Sequence, residues 1–201
     1  MRGLLTLVIA VVGSLLLLAI LIAMDVGNDN SSATVRAPRW ADDVCAATGA
    51  WEGQIEVISD GVRTATSATR PNDGGSGDQV EGTLFARTAI SRAIQATDLT
   101  LVEGIRQAGV PNSDSGPEAS KILLDWANAT KEGLRAARAT IERDPDSTTA
   151  AIEAIGYAST VLSQAQLNGR DAYEQVAALD SELEDALSGS DKCTNLRGEQ
   201  P

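Results

Sequence analysis

From Leu4 to Met24 the chain reads LLTLVIAVVGSLLLLAILIAM, 21 residues without a charge. At a helical rise of about 1.5 Å per residue, such a run matches a hydrocarbon layer about 30 Å thick. Signal peptides that are cut have a shorter apolar region, about 7–15 residues, ending near a small-x-small site. Here a cut at Ala23 would place Leu21 at the −3 position, a poor fit, and the better site, Ser31-Ser32-Ala33, lies beyond the block. The expectation is an uncleaved transmembrane signal anchor over 1–24. The alternative is a form secreted after cleavage near Ala33. No Cys follows the block, which excludes a bacterial lipoprotein. Arg2 precedes the segment and Asp25 and Asp29 follow it, so the N-terminus belongs in the cytoplasm and the remainder outside.

That placement sets the redox environment of Cys45 and Cys193, the two cysteines of the chain. An even count in an oxidising compartment predicts a disulfide, with two free buried thiols as the alternative. No CxxC spacing is present to lower a thiol pKa.

Residues 25–38 (DVGNDNSSATVRAP) carry no apolar periodicity and are expected to form a flexible linker. Trp40, Val44, Thr48, Trp51, Ile55, Ile58 and Val62 then recur at spacings of three and four, which predicts a helix over about 39–68. The Pro- and Gly-rich stretch Arg70 to Gln79 interrupts it. A second helix is expected with Val80, Leu84, Ile90, Ile94, Leu101 and Ile105 inward, ending at Gly109-Val110-Pro111. A third is expected from a Ser115/Glu118 capping box to about Arg143, with Ile122, Leu123, Trp126, Ala129, Leu134, Ala137 and Ile141 on its apolar face.

After Asp144-Pro145-Asp146, the stripe Ile152, Ile155, Leu162, Ala165, Val176, Leu179, Leu183 and Leu187 predicts one last helix longer than its neighbours. A full reversal at Asn168-Gly169 would leave Cys193 at mid-height, so a kink there is expected instead. The long helix should then overhang the membrane-proximal end. The fold class is therefore all-α: an N-terminal transmembrane helix and an extracytoplasmic antiparallel four-helix bundle over 39–193, followed by a disordered tail over 194–201.

The chain contains no histidine. That removes His-based acid–base and triad catalysis, His-ligated haem or zinc, and the Glu-x-x-His pairs of di-iron bundles. A catalytic carboxylate pair is the remaining option, but the acids at Asp42, Asp43, Asp180, Glu182, Glu184 and Asp185 mostly lie off the apolar stripes. The loop Asn72 to Asp78 lacks the ligand pattern of an EF-hand and the Gly-Lys-Ser/Thr of a phosphate loop. A formal net charge of −12 without a basic cluster argues against a nucleic-acid partner. No cofactor, no metal and no catalysis are expected. Core packing is the expectation for Trp51, Trp126 and Trp40, with an exposed binding anchor or an interfacial contact as the alternative for Trp40, near the tether. Gly49 and Gly53 form a GxxxG on the first helix, for which close packing of a neighbour is the expectation and dimerisation the alternative.

An N-terminal membrane segment, a first helix bearing Trp40, Cys45 and Trp51, Ala-rich amphipathic helices, Gly109-Val110-Pro111 and the late Cys193 together resemble small, uncharacterised actinobacterial envelope proteins, membrane-anchored or secreted. The resemblance covers most of the chain and implies no activity. Trp51-Glu52-Gly53 also matches the tripeptide of the WXG family. In that family it sits in a hairpin turn; here it falls inside a predicted helix. The accompanying Tyr-x-x-x-Asp/Glu signal is missing as well, since Val161 follows Tyr157 and Ala177 follows Tyr173 at that spacing. The functional expectation is a membrane-tethered binding or scaffold module with an envelope-protein partner, the alternative being a capture module for a small molecule or cation.

Overall fold

A computed structural model describes residues 34–68, 76–144 and 146–197, with side chains at 34–61, 83–144 and 146–194. The Leu4–Met24 segment and most of the linker lie outside the described residues. Among those described, no helix is long and apolar enough to cross a membrane. The fold is helical, as expected: α1 (Ala37–Ala68), α2 (Ser76–Ala96), α3 (Glu103–Ala108), α4 (Gly116–Arg143), α5 (Thr148–Ala177), α6 (Ser181–Gly189) and a closing 3-10 segment, Asp191–Arg197.

Between α2 and α3 the chain widens into a π-helix over Thr97–Val102, in which the Glu103 amide donates to the Asp98 carbonyl, five residues back. A π turn adds a residue to the coil and so rotates everything after it relative to what came before. The expected stripe is not one face even before this turn, since Ile90 is buried while Leu84, in the same helix, is exposed. Leu101 and Ile105 are buried, whereas Leu84 is 60% exposed.

The long helices alternate in direction. Ala47 with Gly104 and Gln54 with Thr100 climb α1 while descending the α2–α3 arm. Ser120 with Gly109 and Lys131 with Asp98 do the same between α4 and that arm, and Trp126 with Gly169 and Gly133 with Val161 between α4 and α5. The inner face of α5 is built from alanines (Ala151, Ala154, Ala158, Ala165, Ala172), which lets α4 approach closely; Ile152, expected inward, is 65% exposed. Ser147 caps α5 by accepting from the Ala150 amide at 3.2 Å.

Three expectations change at the base of the bundle. First, α5 runs unbroken through Asn168-Gly169. Gly169 admits a close approach there: a Cβ on it would lie 2.7 Å from Cζ2 of Trp126. The break comes instead after Ala177, where Asp180 caps α6 by accepting from the Leu183 amide at 2.9 Å. That amide, with lesser help from Ser113 and Ser115, holds the Asp180 carboxyl below the usual range.

Second, the end of the chain does not overhang. α6 and the 3-10 segment fold back on the start of α1, where Ser190 donates to Asp42 at 2.6 Å and Cys193 bonds Cys45 with their Cα atoms 5.1 Å apart. The expected disulfide is present, brought about by a short reversed helix and not by one undivided helix.

Third, the last residues of the expected linker take part in the fold. Thr34 and Val35 pair in parallel with Val110 and Pro111, and the Asn112 amide donates to the Val35 carbonyl at 2.7 Å. A two-residue ladder is too short to leave an alternating pattern in sequence. The connection it pairs with turns through Gly109, whose φ of 77° suits a glycine, and the chain then packs Gly116 beneath the Pro111 carbonyl, where a Cβ would collide. Ser115 accordingly makes no side-chain cap at the start of α4.

Candidate docking groove

The interior is filled by an aromatic and hydroxyl layer. Trp126 stands edge-on to Trp51 at 6.0 Å and to Tyr173 at 6.3 Å. Each polar tip has a partner: Trp51 Nε1 donates to Thr97 at 3.0 Å, Trp126 Nε1 to the Ala165 carbonyl at 2.8 Å, and the Tyr173 and Thr48 hydroxyls share a 2.8 Å bond. Burial pushes the Tyr173 phenol well above its ordinary pKa. Such a layer specifies packing; it leaves no room for a ligand.

Half-buried Glu52 is adjacent in sequence to Trp51. Burial raises its carboxyl above the usual range, and the charge of Arg170 partly opposes this. Because the folded state then holds this proton more tightly than the unfolded chain does, the associated stability is full below the unfolded value of 4.5. It is lost as pH rises from there through the raised folded pKa. Glu52→Gln should therefore flatten the decline of melting temperature above pH 4.5, as read by thermal melts across pH 4–8. An unchanged slope would clear Glu52 of that role.

Trp40 is wholly buried, as core packing requires, which excludes the alternative of an exposed binding anchor. The returning C-terminal segment and the Gly109–Ser115 connection close the base that would have left it open. Cys45 and Cys193 are also buried, at 1% and 2% exposure, which shields their disulfide from solution thiols.

The grooves formed by the described residues include two on the surface. One, of about 510 Å³, lies at the base between α1 and α6, lined by Pro38, Asp42, Ser181, Glu182, Asp185 and Ser190 among others. Its carboxylates do not converge: among the described residues no group of three Asp, Glu, Cys or His side chains is placed to hold a metal ion.

The other, of about 680 Å³, lies between α1 and the α2–π arm. Gly53, Gln54, Val57 and Ile58 form one wall, and Arg92, Gln95, Leu99 and Thr100 the other. Val57 is 73% exposed and Leu99 62%. Beside it, Gly49 and Gly53 face solvent, and a Cβ on either would meet nothing within 4 Å. Among the described residues no neighbour packs against the GxxxG. Compared with known proteins, the chain matches no protein family, no curated protein and no solved structure. The surface must therefore speak for itself. Neither Val57 nor Leu99 stood out in the sequence, yet for Val57 a signal was available: at 100° per residue, Gly49, Gly53 and Val57 fall opposite Thr48, Trp51 and Ile55.

Proposed function

We propose that the protein is a membrane-tethered extracytoplasmic binding or scaffold module of the cell envelope, without catalysis, that docks a protein partner in the groove between α1 and the α2–π arm. One observation carries this reading: a filled core beside an open groove whose largest apolar side chains, Val57 and Leu99, face water. An enclosed apolar cavity would have favoured small-molecule capture, but the groove is a surface trough. The absence of histidine from the whole chain supports a non-catalytic role.

The anchor is Leu4–Met24, with the N-terminus cytoplasmic and the bundle outside, and the buried Cys45–Cys193 disulfide suits that compartment. Because Thr34 is already paired with the fold, the tether shortens to residues 25–33, a reach of about 30 Å at full extension. Whatever the groove receives is therefore itself held near the membrane.

The test is photo-crosslinking in native membranes from a reactive residue placed at Val57 or at Leu99, followed by mass spectrometry. A reproducible protein adduct is expected from both positions, and Val57→Asp should lower the Leu99 adduct about tenfold or more while the membrane-bound amount stays constant. Recovery of no protein adduct, with a small molecule co-purifying instead, would overturn the proposal.

A further inference from the structure

We infer that the partner seated on this face is a second copy of the chain, the two α1 helices packing in parallel across Gly49 and Gly53. The inference rests on the docking reading above and names its occupant. Ala46, Gly49, Ala50 and Gly53 are all exposed on the outer face of α1, and the two glycines leave its backbone open to close approach. Small residues four apart form the ridge-and-groove surface on which two helices cross at about −50°. Val57 and Leu99 border it, giving each copy an apolar rim to cover.

Charge selects the occupant and its direction. Arg92 is the single charged residue among those lining the groove, on a chain of net charge −12. Glu52 and Glu56 project from the opposite flank of α1, at −100° from Gly53 and Val57 along the coil. Neither Arg92 nor Glu56 forms an ion pair among the described residues. Arg92 lines the same groove as Val57 and Ile58, the two residues that follow Glu56 in α1.

In two parallel helices related by a twofold axis along their length, the left flank of each faces the right flank of the other. Glu56 of one copy then meets Arg92 of its partner, and the axis makes that contact twice. Antiparallel packing would instead turn the Glu52–Glu56 flank onto itself, like charge against like. An inclined crossing at Gly53 carries the helices apart before the two Asp60 side chains meet.

The experiment uses the full chain in membranes with a photoreactive residue at Val57, and the same residue at Leu167 on the exposed outer face of α5 as reference. A homodimer adduct from Val57 and none from Leu167 is the expected result. Glu56→Arg should lower that adduct about tenfold, since it turns two attractions into two repulsions, and adding Arg92→Glu should restore it. Co-expressed Glu56→Cys and Arg92→Cys chains should form a mixed disulfide. A Glu56→Cys homodimer disulfide in its place would overturn the parallel arrangement. An adduct with a different protein would overturn the second copy as occupant while leaving the docking reading intact, and no adduct at all would overturn both.

Discussion

Replacing Cys45 and Cys193 together by alanine should lower the stability of the domain by about 5 kcal/mol, the loop-closure value for a separation of 148 residues. For a domain of this size, each kcal/mol moves the melting temperature about 2–4 °C, so a fall of about 10–20 °C is expected by calorimetry. The effect should be concentrated at the base. The disulfide is the one covalent link holding the 3-10 segment, and the turn after Ala177 leaves α6 to rely on Leu183, Ala186, Leu187 and the Ser190–Asp42 bond. Hydrogen exchange should accordingly rise in 181–197 before it rises in α4. A melting temperature unchanged within about 2 °C would mean that noncovalent contacts already confine the C-terminal segment. Alanine is the appropriate substitute, because a serine hydroxyl at either buried position would need a partner.

The boundaries of α1 and α4 were legible because each rests on local signals of several residues, a three-and-four apolar stripe bounded by Pro- and Gly-rich breaks. The disulfide was legible from count and compartment. What misled was punctuation whose purpose is tertiary. Asn168-Gly169 has the composition of a break, but Gly169 exists to admit the Trp126 ring. The true break at Asp180 carried its own signal, an Asp followed by Glu182 and Glu184 in the first helical turn. The π turn left no trace at all. The groove was readable in principle, because the position of Gly49 and Gly53 opposite the tryptophan stripe follows from helical geometry alone.

Trp126→Ala should be the most damaging single side-chain change, costing about 3–5 kcal/mol through loss of buried surface and the cavity left behind. The ring joins three elements: it meets Trp51 of α1, Tyr173 of α5 and the backbone of Gly169, and its indole N–H is bound to Ala165. The sharper expectation is a change of sign at its neighbour. In the natural chain Gly169→Ala should destabilise, because its new methyl would lie 2.7 Å from Cζ2 of an indole that is itself fixed by a hydrogen bond and two aromatic contacts. In the Trp126→Ala background that methyl would enter space the ring has vacated. The helix preference for alanine over glycine, about 1 kcal/mol, should then show as a gain. A double-mutant cycle by chemical denaturation reads both effects together. Additive changes would mean that Gly169 is present for some reason other than the ring, and the close approach of α4 and α5 would need a different cause.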